Sequence, residues 1–176
     1  MQTNALPEYD ASDNPTGCCP RFNPEGWDDR DLHFKGKLFV KAKTTSVNHV
    51  PADMAPVFEK TFAAIEKAGA YDEKNFIILS RDVSPSETEH YFAVTKDVPN
   101  EKIVQWSGDY LTRVFEGPYE DAPKWEKEMV AELTGRGLRT DNVYFFYTTC
   151  PKCLQVYGKN YVVAVAAVEN GKQMTH

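Results

Sequence analysis

Hydrophobic positions along this chain alternate with polar ones in several short runs and recur at helical spacing in two longer ones. Lys37 to Val47 (KLFVKAKTTSV) predicts a strand that is partly two-faced. Met54, Phe58, Phe62, Ile65 and Ala68 then repeat every three or four residues, with Asp53 placed to cap and Pro56 in the first turn. They predict a helix that stops at Gly69. Phe76 to Leu79 and His90 to Thr95 predict two strands, with a loop through Ser84-Pro85-Ser86 between them. Tyr110 to Glu116 predicts another strand that ends at Gly117-Pro118. A second helix starts near Asp121, carries Pro123 in its first turn and sets Trp125, Met129 and Leu133 on one face. Gly135 and Gly137 end it, and Val143 to Thr148 and Tyr161 to Val168 are strongly β-prone.

The elements therefore run strand, helix, strand, strand, and then repeat that order. This predicts the α+β class: a duplicated strand–helix–strand–strand unit forming an antiparallel sheet with two helices on one face. Residues 1–32 are polar and rich in Pro, Asp, Asn and Gly, and predict an irregular arm that Phe22 and Trp27 pin to the body. Residues 33–176 then form one ligand-binding domain, with a small-molecule site expected where the two halves meet.

Charge narrows the partners. With 20 Lys+Arg against 26 Asp+Glu the net charge is −6, the wrong sign for binding a phosphate backbone. The N-terminal stretch lacks a basic start, an apolar run and a cleavage site, and no run of ~18 apolar residues occurs anywhere. These absences predict a cytoplasmic protein with no nucleic-acid or membrane partner, and leave its oligomeric state open. The chain also lacks Gly-x-Ser-x-Gly, a phosphate loop and His-Glu-x-x-His, so the common hydrolase and nucleotide machinery is missing.

Gly108 to Tyr119 (GDYLTRVFEGPY) resembles the GyrI-like small-molecule-binding family, whose pattern is a Gly-x-Tyr strand followed by Gly-Pro-Tyr at the start of the second helix. An aromatic near that helix start belongs to the pattern, and Trp125 matches it. The resemblance implies the duplicated fold over about residues 37–168 and an effector-binding, stand-alone binding or hydrolytic role, the last within an aromatic cage. Residues 1–32 are too short and acidic for the DNA-binding domain of the family's regulators. The last strand also lacks the acid that several members direct at cationic ligands, which leaves Glu116 as the nearest candidate.

Aromatic residues are abundant: 9 Tyr, 10 Phe and 3 Trp. Tyr91, Trp106, Tyr144, Tyr147 and Tyr161, together with Tyr110, combine a flat face with a polar tip and suit a small hydrophobic or planar ligand. Alternation puts Tyr110, Thr112, Val114 and Glu116 on one strand face. Glu116 and Tyr110 are accordingly the expected catalytic pair, able to activate water and hydrolyse a bound ligand.

The four cysteines, Cys18, Cys19, Cys150 and Cys153, sustain a competing reading. Cys150-Pro151-Lys152-Cys153 after a strand is locally like a glutaredoxin motif, but too little chain follows it for that fold. The same four residues could instead hold a structural zinc, with His33 or His49 replacing one sulfur, or could serve as plain buried thiols clamping the arm to the last hairpin. No other cofactor is expected.

Overall fold

The computed structural model describes residues 3–47 and 50–170. In chain order the elements are β1 (Asp31–Val47), β2 (Val50–Pro51), α1 (Met54–Lys67), β3 (Ile78–Ser84), β4 (Glu87–Ala93) and β5 (Lys102–Glu116). A 3-10 turn (Tyr119–Asp121), α2 (Ala122–Gly135), β6 (Leu138–Arg139), β7 (Val143–Tyr147), α3 (Pro151–Tyr157) and β8 (Tyr161–Asn170) follow. The six long strands pair in the order β1-β4-β3-β7-β8-β5, and β5 pairs back onto β1, all antiparallel. The sheet is a closed six-stranded barrel with its three helices outside.

This corrects the expected open α+β sheet with two helices on one face. Two strands are far longer than the sequence suggested. β1 begins at Asp31 and β5 at Lys102, and their ladder runs from Asp31 opposite Leu111 to Lys41 opposite Lys102. A strand twice as long as its neighbours can pair on both edges and roll the twisted sheet shut. The sequence pattern predicts this strand only from Lys37, and Lys35-Gly36 interrupts the alternation just before it. The structure absorbs that break in a β-bulge between Phe34 and Lys37, with Gly36 at φ +62°. The extra residue keeps Leu32, Phe34, Lys37, Phe39 and Lys41 on one face although 34 and 39 have opposite parity.

Alternation then sorts the core. Leu32, Phe34, Phe39, Leu79, Tyr91, Trp106, Tyr110, Phe146, Val163 and Val165 form a single buried cluster that fills the barrel. The intervening residues face outward under the helices. Val40, Phe92 and Val94 meet Phe58, Phe62 and Ile65 of α1. Leu111, Phe145, Val162, Ala164 and Ala166 meet Trp125, Met129 and Leu133 of α2. The helices thus cover different walls instead of sharing a face. Asp53 makes no capping bond at α1; its carboxylate accepts a hydrogen bond from the Thr45 backbone at 2.7 Å and ties the helix start to β1.

Residues 3–30 cover one end of the barrel. Trp27, 1 % exposed, lies with Phe22 and Tyr9 against Phe146, at ring separations of 5.6–6.2 Å. The Trp27 carbonyl accepts a hydrogen bond from the Thr112 hydroxyl, and Asp29 N donates to the Thr112 carbonyl at 3.0 Å. Gly117 (φ +152°) lets the chain turn out of β5, and a Cβ there would stand 3.1 Å from Trp125, which stacks on Phe115. Tyr119 of the same Gly-Pro-Tyr motif donates its hydroxyl to the Thr149 carbonyl. The motif is a structural corner.

Two outcomes follow. Trp27→Ala empties the plug and is expected to cost about 3–5 kcal/mol, read as a lower urea midpoint. His90 is 2 % exposed beneath Phe58 of α1, with Thr44 Oγ1 at 2.8 Å from Nε2 and Ser80 Oγ at 2.7 Å from Nδ1. Burial lowers its pKa from 6.5 to about 4, only partly opposed by Asp82 and Asp53. The unfolded chain therefore binds the extra proton between these values, so stability is full above pH 6.5 and falls by about 3 kcal/mol as pH drops to 4. His90→Gln should flatten that part of the pH–stability curve; an unchanged curve would exclude His90 as its source.

Candidate functional site

At the barrel end away from the arm, the inward face of five strands carries both charge and aromatic surface. Register places Glu89 of β4 opposite Arg81 of β3 and Lys43 of β1, while Tyr91 lies opposite Lys41. Lys41 Nζ reaches across to Glu89 Oε2 at 2.8 Å, with both side chains less than a fifth exposed. The Tyr91 hydroxyl donates to the other Glu89 oxygen at 3.1 Å. Burial alone would raise the Glu89 pKa, but the hydrogen bond and charge of Lys41, joined by Tyr91 and Lys43, outweigh it and hold the carboxyl below its ordinary range. Glu89 is a fixed, ionised acceptor at neutral pH.

Aromatic rings stand beside this carboxylate. Trp106 lies 4.6 Å from Tyr144, 5.0 Å from Tyr91 and 5.5 Å from Tyr110, stacked on the last at 21°. Tyr91 and Tyr144 meet edge to face at 5.8 Å. Burial pushes the Tyr110 phenol up to about 12 and raises Tyr91 and Tyr144 as well, so all three stay protonated. The Arg81 guanidinium lies 5.9 Å over the Tyr144 ring and donates from Nη1 to Asn142 Oδ1. Its buried Nε finds no hydrogen-bond partner among the described residues.

Arg81 also borders a cavity of about 280 Å³ on the outside of the wall. That cavity lies over the seam between β3 and β7, where the ladder is a single residue pair, Ser80 with Phe145. Asp82, Asn142, Tyr147 and Glu126 of α2 complete much of its lining. Arg81 thereby joins the interior aromatic group to an open space about the size of a small ligand.

The expected site residues divide. Tyr91, Trp106, Tyr110 and Tyr144 come together. Tyr147 lies on the opposite face of β7, in the outer cavity, and Tyr161 sits at the plugged end, 6.2 Å from Phe22. Glu116 is exposed at the far end of β5, six residues along an extended strand from Tyr110, or ~20 Å. That distance separates the expected pair. Sequence reading missed Lys41, Arg81 and Glu89, whose signal was a charged residue two positions along the strand from an inward apolar one (Phe39, Leu79 and Tyr91).

The chain's family can now be set beside this geometry. A family profile described as bacterial hydrolase matches residues 9–168. The chain belongs to the bacterial hydrolase family. The GyrI-like resemblance is not what this comparison returned. The crystal structure of a hydrolase from Listeria innocua has a similar fold, with a TM-score of 0.57 over 81 % of this chain and 92 % of that one, at 11 % identity. No curated protein matches the chain. Membership makes a hydrolase-like function the coarse assignment, and the bacterial hydrolase barrel holds an ionised carboxylate, two cations and an aromatic wall at one end. No helix among the described residues is long and apolar enough to cross a membrane.

The other grouped residues lie at the plugged end. The sulfurs of Cys18, Cys19, Cys150 and Cys153 all lie within 4.8 Å of one another, and none is in a disulfide. Burial raises Cys19, whereas a hydrogen bond with Thr16 lowers Cys153 to about 7. His33 is engaged elsewhere, 2.7 Å from Asp109, and His49 lies outside the described residues.

Removing Lys41 tests the charged row. Lys41→Met leaves Glu89 half-desolvated without its ion partner, and is expected to cost about 1–3 kcal/mol in urea unfolding at pH 7. Glu89 contributes stability above the ordinary carboxyl pKa of 4.5, and that contribution is lost as pH falls through its lowered folded value. The Lys41→Met deficit should therefore shrink in acid; a deficit independent of pH would mean the lysine acts only by packing.

Proposed function

We propose that this protein hydrolyses a small molecule with a planar or hydrophobic part, using Glu89 to direct water and the Trp106–Tyr91–Tyr144 wall to hold the substrate. The carrying observation is Glu89, an ionised carboxylate held by Lys41 at 2.8 Å and Tyr91 at 3.1 Å within an aromatic group. In this reading Glu89 takes a proton from water and the hydroxide attacks an electrophilic substrate carbon. Arg81, whose Nε lacks a partner among the described residues, and Lys41 balance the negative charge that develops. The proton then passes from Glu89 to the leaving group. Membership of the bacterial hydrolase family supports the reaction class.

A panel of small aryl esters, amides and epoxides gives the assay. Glu89→Gln should lower kcat by about 10²–10⁴ with an unchanged circular dichroism spectrum, while Glu116→Gln should match the wild type. Equal turnover by Glu89→Gln and wild type would overturn the role given to Glu89.

A further inference from the structure

We propose that Cys18, Cys19, Cys150 and Cys153 bind one zinc ion as a closed tetrathiolate site that locks the N-terminal arm onto the barrel. The four sulfurs come from two distant stretches of chain, yet lie within 4.8 Å of one another. A tetrahedral ion with Zn–S near 2.3 Å requires sulfurs ~3.8 Å apart. Cys18 and Cys19 stand 3.8 Å apart. Adjacent cysteines point apart in an extended chain, but here they lie in a bend after Gly17 (φ +71°), which brings both sulfurs to one side.

The surroundings suit metal-bound sulfur. Cys150 N donates to Cys19 Sγ at 3.5 Å, and Thr16 Oγ1 lies 3.2 Å from Cys153 Sγ. Tyr157 of α3 contacts Thr16 Oγ1 at 3.1 Å and donates its hydroxyl to the Cys19 carbonyl at 2.5 Å, so arm and helix are already tied around the sulfurs. The Arg21 guanidinium lies 4.9 Å over the Tyr157 ring and 3.3 Å from Asp13 Oδ2, which adds a further tie between arm and helix. Such polar partners orient and tune thiolate ligands. Binding converts four thiols to thiolates and releases their four protons to solvent. An all-sulfur set leaves no open position for substrate, so the ion acts as a clamp, and the chemistry stays at the other barrel end.

The test is elemental analysis of the full-length protein after gel filtration in chelator-free buffer. One zinc per chain is expected, lost in both Cys19→Ser and Cys153→Ser. Should those variants fail to fold, cobalt exchanged into the wild type must give the intense charge-transfer and visible bands of tetrathiolate cobalt. Chelation should also expose the Arg21–Phe22 bond to trypsin. Wild type that is purified without any metal and whose four thiols react at once, iron in place of zinc, or a disulfide among the four would each overturn the proposal.

Discussion

The ladder between β1 and β5 closes the barrel, and every other placement depends on that closure. It holds from Asp31 to Lys41 of β1 only because the bulge at Gly36 corrects the parity of the strand midway. Without the bulge, Phe39 and Lys41 would turn outward while Leu32 and Phe34 stayed in, and no single cluster could fill the interior. Closure also removes the sheet edges that an open six-stranded arrangement would leave for aggregation.

A small closed barrel must fill its own interior, and this one does so unevenly. Aliphatic residues of β8 and the rings of Phe34, Phe39 and Phe146 occupy the middle and the plugged end. Lys37 is a buried charge at an inward position, while Lys41, Arg81 and Glu89, with Lys43 beyond them, form a charged rim. Lys37 shows what burial demands of a cation: its ammonium lies near the Phe34 and Phe39 rings, donates to the Asn4 carbonyl at 3.1 Å, and has its pKa lowered by desolvation. At the rim Lys41 and Glu89 instead satisfy each other, which leaves Glu89 ionised in a setting where an isolated carboxyl would be driven neutral.

Much of this was legible locally and little of it globally. The faces of both helices were readable because Ile65, Trp125, Met129 and Leu133 recur at helical spacing, and Tyr91, Trp106, Tyr110 and Tyr144 stood out for combining a flat face with a polar tip, although nothing local separated them from Tyr147 and Tyr161. Closure was not readable, since it depends on an irregularity at Gly36 that locally reads as a strand's beginning. Glu116 was chosen for sharing a face with Tyr110, but parity says nothing about distance along a strand. Glu89 falls just outside the strand read from His90, because Glu87-Thr88-Glu89 has no apolar residue to mark a strand; its ion pair with the inward Lys41 across the ladder supplies the reason for it.

The two ends of the barrel are linked through what the arm blocks. Trp27, Phe22 and Tyr9 fill one mouth, so the interior aromatic group meets the outside at the rim and at the β3–β7 seam. That seam is the weakest ladder in the barrel, a single pair flanked by Arg81 and Asn142. A wall can afford a weak seam only if the rest of the cylinder is held firmly. The long β1–β5 ladder does this on one side, and the clasp of arm and α3 around the cysteines does it at the base. The long ladder on one side and the short seam on the other leave Arg81 at the thinnest part of the wall, in contact with both the interior Tyr144 ring and the outer cavity.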